Sequence, residues 1–143
     1  MPDPTDLDRR LARVQLLLLD VDGVLTDGGV TIDNQGVESK TFHIRDGLAL
    51  RAWQRAGLAA GIVTGRTSRV VELRAAELGI GIVRQGVDDK LAVADACDDL
   101  RRAADVVTGL PGGRGAVREL IERMLRARGG WDAVVSRYAA SRT

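Results

Sequence analysis

The first long apolar run of the chain, Leu16–Leu19, ends abruptly at the polar sequence Asp-Val-Asp-Gly of residues 20–23. An unbroken apolar run bounded by turn residues is typical of a strand that is buried on both faces of a sheet. Two further short apolar runs, at residues 58–63 and 80–83, predict two more strands of the same kind.

Between these strands the apolar positions change to helical spacing, which predicts helices over residues 48–56, 68–78 and 115–128 and a lead-in helix over 7–14. Asp6 and Asp46 are the predicted N-caps, and Gly57 and Gly79 close two of the helices. The inward positions are predicted to be Leu48, Ala49, Ala52 and Trp53, then Val70, Val71, Leu73 and Leu78, then Val117, Leu120, Ile121 and Met124. The alternation of strand and helix predicts an α/β fold with a parallel sheet.

Residues 27–42 follow a different pattern, with Val30 and Ile32 alternating with polar neighbours before the turn signal Asp-Asn-Gln-Gly at 33–36. This pattern predicts a β-hairpin. Because the hairpin directly follows Asp20 and Asp22, it is placed either to cover their surroundings or to pair with another subunit.

The composition narrows the class of protein. A chain of 143 residues suits one domain, which we assign to residues 1–128 with a tail at 129–143. A formal charge of +1 and 3% aromatic residues argue against a nucleic-acid partner. Leu16–Leu19 is too short to span a bilayer, so no membrane role is expected. Cys97 is the only cysteine, which excludes an intrachain disulfide and fits a cytoplasmic protein.

The two aspartates carry the main candidate chemistry. Asp20 falls at the end of the first strand, at the sheet edge where open α/β sheets bind ligands, and Gly23 permits the chain to turn there. One carboxylate can attack phosphorus while a second donates a proton to the leaving oxygen, and together they can hold a hard divalent cation. The simpler interpretation is a buried strand that runs into an Asp-Gly turn.

Two more candidates follow the next two strands. Thr64 precedes a predicted helix, where a hydroxyl and backbone N–H groups can bind a phosphate oxygen, although Thr64 is also a plain N-cap candidate. Arg66 is either a bidentate ligand for an acidic substrate group or a solvated charge. The ammonium of Lys90 is placed either to steady a nucleophile and a phosphate or to lie on the surface.

The sequence Asp-Val-Asp-Gly-Val-Leu-Thr at 20–26 resembles motif I of the haloacid-dehalogenase-like (HAD) phosphohydrolases, and residues 64–66 and Lys90 match their motifs II and III. This resemblance implies that Asp20 is the nucleophile and a Mg²⁺ ligand. It implies that Asp22 is the general acid and base and offers its carbonyl to the metal. The residues implied to bind phosphate or substrate are Thr64, Lys90, Asp22, Gly23, Gly65 and Arg66.

Residues 22–28, the hairpin, residues 42–47 and residues 111–119 are together similar to the 3-deoxy-D-manno-octulosonate 8-phosphate phosphatases. That resemblance implies a Rossmann-like three-layer sheet with a hairpin flap, a phosphorylated sugar acid as substrate and Mg²⁺ as cofactor. It also implies a homotetramer in which a neighbour's C-terminal segment reaches the active site. The glycine-rich loop at 112–115 would then present Arg114 to the sugar-acid carboxylate, the alternative being a linker before the last helix.

The chain departs from that family after Lys90. Lys90-Leu91 runs almost directly into Ala-Val-Ala-Asp-Ala at residues 92–96, without the strand and the Gly-Asp-Asp-like motif IV that supply the family's remaining metal carboxylate. Cys97-Asp98-Asp99-Leu100 is only superficially similar to that motif, and residues 91–104 are compatible with one continuous helix. The departure predicts a shorter sheet and a weaker metal site. It leaves open a catalytically impaired remnant, a non-catalytic subunit, or a regulatory module of a sugar-nucleotide enzyme.

Overall fold

A three-stranded parallel sheet with flanking helices and a separate small hairpin forms the fold. The structure, a computed structural model, describes residues 5–86, 102 and 106–140. The helices are α1 (Asp6–Leu11), α2 (Ile44–Arg55), α3 (Arg69–Leu78), α4 (Ala116–Ala127) and α5 (Trp131–Ala140), and the strands are β1 (Leu16–Leu19), β2 (Thr31–Ile32), β3 (Glu38–Ser39), β4 (Ala59–Thr64) and β5 (Ile82–Gln85). The predictions for Lys90, for Asp98 and Asp99, and for a helix over 91–104 fall outside the described residues, apart from position 102.

The sheet has the order β1-β4-β5, and both neighbouring pairs are parallel. Leu19 pairs with Ile62, and Thr64 pairs with Gln85. The predicted α/β class, the parallel sheet and its short width are therefore confirmed. Because all three strands run in one direction, their carboxyl ends lie at one edge of the sheet.

One face of β1 differs from the prediction. Leu17 and Leu19 are buried, whereas Leu16 and Leu18 are each 44% exposed. The prediction that β1 is buried on both faces is therefore wrong. Four consecutive leucines conceal the alternation of an ordinary strand with one buried face, since every position is apolar whichever way it points.

The core lies between the buried face of the sheet and the helices α2 and α4. Leu50, Trp53 and Ile121 are fully buried in it. The indole Nε1 of Trp53 donates to the carbonyl of Ala59 at 2.7 Å, and the Arg128 guanidinium lies 5.5 Å from the indole ring centroid. These contacts satisfy the indole N–H and fix α2 against the start of β4.

Two inward positions were predicted incorrectly. Leu48 and Leu73 are exposed, whereas Leu50 and Ala75 are buried. Helix α2 begins at Ile44, four residues before the predicted start. For Leu48, the sequence prediction assigned the apolar stripe without knowing that α4 packs against α2, and that contact decides which face of α2 is inward.

Two predicted N-caps were also incorrect. Thr5 caps α1 and forms a reciprocal capping box with Asp8, so Asp6 is the first residue inside the helix. His43 caps α2, with Nδ1 accepting from the N–H of Arg45 at 3.2 Å. Asp46 lies inside α2, and its Oδ1 accepts instead from the Arg118 N–H at the start of α4, at 2.9 Å. Burial raises the pKa of this carboxyl above its usual value.

Asp46 is expected to show its role through two substitutions with different outcomes. Asp46→Ala should lower the free energy of unfolding at pH 7 by roughly 1–3 kcal/mol, because the buried N–H of Arg118 loses its acceptor. Asp46→Asn keeps an oxygen acceptor and removes the buried charge, so it should cost little or be stabilising. Urea denaturation of both variants and the wild type measures the difference.

The pH dependence gives a second check on Asp46. Because the pKa is raised in the folded chain, the stability from this carboxyl is complete below the unfolded pKa of about 3.9 and is lost as pH rises through the folded value. The advantage of Asp46→Asn over the wild type should therefore grow as the pH rises from acid towards neutrality. An advantage that shrinks over this range would contradict the assignment.

The predicted hairpin is confirmed, with β2 and β3 antiparallel and the turn held by Asp33. Its Oδ1 accepts from the N–H groups of Gln35 and Val37, at 2.9 and 2.8 Å. Val30, Ile32 and Val37 are all exposed on this hairpin. An exposed apolar two-stranded ribbon is marginally stable on its own, so the hairpin depends on contacts beyond its own turn.

Residues 129–143 were expected to form a tail with a short helix, and α5 confirms the helix. The Arg126 guanidinium lies 4.9 Å from the Trp131 ring centroid and connects α4 to α5. The division into a domain at 1–128 and a tail stays a prediction. Within the described residues, no helix has the length and apolar character needed to cross a bilayer.

Candidate active site

The polar residues at the carboxyl edge of the sheet form the candidate site. Asp20 follows β1 directly, Thr64 is the last residue of β4, and Gln85 is the last residue of β5. The parallel register brings these strand ends to the same edge, as predicted for Asp20 and Thr64. Thr64 is buried and Asp20 is half-buried, so the edge is partly shielded from water.

The loop after Asp20 is organised around the carbonyl of Val21 and the hydroxyl of Thr26. Three backbone N–H groups donate to the Val21 carbonyl: Val24 at 3.2 Å, Leu25 at 3.0 Å and Thr26 at 3.0 Å. The fully buried Thr26 hydroxyl donates to the same carbonyl and accepts from the N–H groups of Gly23 and Gly28. These bonds close the loop on itself and fix the direction in which Asp20 and Asp22 leave it.

The carboxylate of Asp20 is oriented by its own backbone. Its Oδ1 accepts from the N–H of Val21 at 2.7 Å. A charge-assisted bond of this length limits rotation of the side chain. The residue predicted as nucleophile therefore has a defined orientation at the strand end.

Asp22 belongs to a charged cluster with two residues from the hairpin. The Lys40 ammonium lies 2.5 Å from Asp22 Oδ1 and 2.9 Å from Glu38 Oε1. Burial alone would lower the pKa of Lys40, but the hydrogen bonds to Asp22 and Glu38 outweigh it and raise the pKa. The bond to Lys40 holds the pKa of Glu38 below its usual value. Lys40 and Glu38 are therefore both charged at neutral pH.

The segment after Thr64 adds a second cation. The Nε of Arg66 lies 3.7 Å from Asp22 Oδ2, and its side chain is 51% exposed. Gly65 is exposed between them. The side-chain oxygen of Gln85 accepts from the N–H of Ser68 at 2.7 Å, which ties the start of α3 to the end of β5. Arg66 is thus half-exposed and weakly paired with Asp22, in a position open to a ligand.

The glycine-rich segment before α4 packs directly on the Asp20–Thr26 loop. The N–H of Gly113 donates to the carbonyl of Val24 at 2.9 Å. A Cβ on Gly112 would overlap the carbonyl of Gly23, and one on Gly113 would overlap the backbone of Thr26. Arg114 is exposed beyond this contact. The segment is therefore a brace for the loop, and its predicted role in presenting Arg114 to a substrate stays a prediction.

The structure brings six of the predicted site residues to one edge: Asp20, Asp22, Gly23, Thr64, Gly65 and Arg66. Arg114 lies on the segment that braces the loop, and Lys90 falls outside the described residues. Sequence reasoning missed Lys40, Glu38 and Thr26. A signal for the first two was present, because residues two apart in a strand point to the same face, which pairs Glu38 with Lys40.

The described residues contain no group of three or more His, Cys, Asp or Glu side chains able to hold a metal. The carboxylate of Asp22 faces Lys40 and Arg66, so it is engaged by cations. The carboxylate of Asp20 and backbone oxygens of its loop are the remaining hard ligands at the strand end. This set fits a cation that takes few protein ligands and completes its shell with water and phosphate.

Comparison with known proteins identifies the family, although no family model matches the sequence. The KdsC 3-deoxy-D-manno-octulosonate 8-phosphate phosphatase of Escherichia coli K12 is 35% identical over 168 aligned positions, covering 92% of this chain and 89% of that protein. The phosphatase of Moraxella catarrhalis, solved with a magnesium ion, a phosphate ion and a KDO molecule, superposes with a TM-score of 0.89 at 31% identity, covering 93% of this chain and 98% of that one. The cobalt-bound phosphatase of Haemophilus influenzae superposes with a TM-score of 0.80 at 30% identity, covering 87% of this chain and 94% of that one.

The fold is that of a HAD-superfamily phosphatase. The chain belongs to the 3-deoxy-D-manno-octulosonate 8-phosphate phosphatase family.

Proposed function

We propose that this chain hydrolyses the phosphate monoester of 3-deoxy-D-manno-octulosonate 8-phosphate through an aspartyl-phosphate on Asp20. The observation that carries the proposal is the placement of Asp20, Asp22 and Thr64 at one sheet edge, each held by the surrounding backbone or by ion pairs. The substrate assignment rests on the relatives, one of which is solved with KDO and phosphate.

In the proposed reaction a carboxylate oxygen of Asp20 attacks phosphorus, and the bond between phosphorus and the sugar oxygen breaks. Asp22 donates a proton to the departing oxygen, which leaves as the alcohol. Asp22 then takes a proton from the water that attacks the aspartyl-phosphate, which releases inorganic phosphate and restores Asp20. The self-closed loop around Thr26 supports this scheme because both carboxylates need fixed directions.

Thr64 and the backbone of Gly65 are proposed to bind the phosphate oxygens near the start of α3, where N–H groups are unpaired within the helix. Lys90 is proposed to do the same with its ammonium. Arg66 and Arg114 are proposed to bind the carboxylate of the sugar acid, because a guanidinium matches a carboxylate with two parallel hydrogen bonds. The half-exposed position of Arg66 supports its part of this assignment.

Mg²⁺ is the proposed cofactor, with the Asp20 carboxylate and the Asp22 carbonyl as its protein ligands. When bound, it would neutralise charge on the phosphate and orient it for attack. Two protein ligands suit Mg²⁺ better than most cations, since it keeps several waters and shares substrate phosphates.

A second candidate function is a chain that keeps the phosphate pocket without turnover. The alignment with KdsC has 168 positions, whereas 92% of this 143-residue chain is about 132 residues. About 36 positions of that alignment therefore have no residue in this chain. This supports the proposal that the block containing motif IV is deleted after Lys90, which would weaken the metal site.

Phosphate release from KDO 8-phosphate, with Mg²⁺ and with excess chelator, tests the proposed function. We expect release that requires the metal. Calorimetric titration separates the second candidate: Mg²⁺ binding that Asp20→Ala abolishes favours the enzyme. An absence of both release and Mg²⁺ binding at millimolar concentration would favour the non-catalytic chain.

We further propose a cytoplasmic homotetramer assembled through the hairpin. The exposed side chains of Val30, Ile32 and Val37 would be buried by pairing hairpins of several subunits, and the strand edges would gain hydrogen bonds. The cytoplasmic part of this proposal is supported by the single cysteine, Cys97, which fits a reducing compartment.

Ile32→Lys is expected to dissociate this assembly, because a charge at an apolar contact must be desolvated. Ile32 is 61% exposed in the single chain, so the substitution should leave the fold of one subunit intact. Light scattering coupled to size exclusion measures the mass of both forms. A wild-type monomer, or an unchanged tetramer in the variant, would show that the hairpin is not the interface.

A further inference from the structure

Lys40 is unusual among the charged residues of the described chain because its side chain is completely buried. It reaches from the end of the hairpin to Asp22, across 18 positions of sequence. A lysine is almost never fully buried unless it is paired, and here it has two carboxylate partners. Because the Lys40 ammonium is buried, it is not a solvated surface charge, and its burial needs another explanation.

The two oxygens of Asp22 are held unequally. Oδ1 lies 2.5 Å from the Lys40 ammonium, whereas Oδ2 lies 3.7 Å from the Nε of Arg66, whose side chain is half-exposed. The first contact is a short charge-assisted hydrogen bond and the second is a longer contact that a ligand can replace. One oxygen is therefore fixed, and the other stays available.

Lys40 can act as a rigid support only if it is itself fixed. Its stem has four rotatable carbons, but Glu38 holds the ammonium from the other side at 2.9 Å and solvent is excluded. Glu38 belongs to β3, so the position of Asp22 is coupled to the hairpin. The network joins an element outside the parallel sheet to the site at its edge.

We propose that Lys40 is a positioning residue that holds Oδ1 of Asp22 so that Oδ2 is presented to the leaving oxygen of the phosphate ester. This inference rests on the proposed function, in which Asp22 transfers the proton. A misplacement of about 1 Å can cost roughly 10²-fold in rate, so a support of this kind has a measurable effect.

The experiment compares two phosphate esters. KDO 8-phosphate releases an alcohol, whose oxygen needs a proton, whereas 4-nitrophenyl phosphate releases a stable phenolate that does not. Lys40→Met should lower kcat/KM for KDO 8-phosphate by roughly 10²-fold. It should lower kcat/KM for the aryl ester by less than about 10-fold. Arg69→Met removes an exposed cation paired with Glu72 and is the matched control. Equal losses on both esters would show that Lys40 is merely structural and would overturn the proposal.

Two further measurements keep the test decisive. If Lys40→Met does not fold, the double variant Glu38→Gln/Lys40→Met is used in the same assay instead. In that variant the carboxylate of Glu38, which would have lost its ammonium partner, is neutralised as well. Crystal structures of the wild type and the variant show directly whether the Asp22 carboxylate turns when the ammonium is lost. If the wild type cleaves neither ester, the proposed function fails. The role of Lys40 is judged separately, because an Asp22 carboxylate with the same orientation in both crystal structures would overturn it.

Discussion

Asp20→Asn is expected to abolish phosphate release from KDO 8-phosphate, with a loss of more than roughly 10³-fold in kcat. The amide is close in shape to the carboxylate and can still accept the N–H of Val21, so the loop should stay intact. It is, however, a far weaker nucleophile and carries no charge for a divalent cation. Release is measured in excess Mg²⁺, so that weaker metal binding is not the sole cause of the loss.

The control for this substitution is Asp33→Asn. Asp33 is an exposed aspartate in the hairpin turn whose oxygen also accepts backbone N–H groups, so the chemical change is the same at a different place. Its activity should equal that of the wild type. Turnover by Asp20→Asn at a comparable rate would rule out the aspartyl-phosphate mechanism, whatever the substrate.

Gly113→Ala is expected to cause the largest loss of stability among the substitutions considered, roughly 3–5 kcal/mol in the free energy of unfolding. The added methyl group would overlap the backbone of Thr26 and Asp27, which cannot move aside as a flexible side chain would. The backbone of Gly113 also has φ +64°, in the left-handed region that favours glycine. Urea denaturation gives the free energy, and the soluble yield gives a second readout if the variant is too unstable to purify.

Gly36→Ala separates the two causes of that loss. Gly36 has φ +80°, but no atom lies within 4 Å of the position of its added Cβ. It should therefore cost only the conformational penalty of about 1–2 kcal/mol. Similar losses at the two positions would contradict the claim that the segment before α4 is a tight brace for the loop.

The sequence was sufficient to predict the parallel α/β fold and the placement of Asp20 and Thr64. Both conclusions depend on short apolar runs followed by turn residues, and such a pattern is local. The C-terminal glycines of α2 and α3 were predicted for the same reason: Gly57 and Gly79 both have positive φ. The prediction of the hairpin likewise depended on a local turn signal, the sequence that begins at Asp33.

The errors and omissions involve contacts between distant parts of the chain. Asp46 was predicted to cap its own helix, but it accepts from Arg118, 72 residues away. In the sequence, Lys40 looks like an ordinary polar residue of a hairpin, and only the fold brings its ammonium against Asp22. The exposed face of β1 was missed because four leucines carry no information about which side is covered. Such features depend on the tertiary packing, which no local window contains.

The packing of Gly112 and Gly113 on the loop also limits how early in translation the site can be completed. Gly113 donates to Val24, and the two residues are 89 positions apart. At about 5–20 residues per second, a ribosome adds Gly113 roughly 4–18 s after Val24. During that interval the loop that carries both aspartates lacks the segment that packs on it. The site after β1 is therefore completed only after Gly113 has been added.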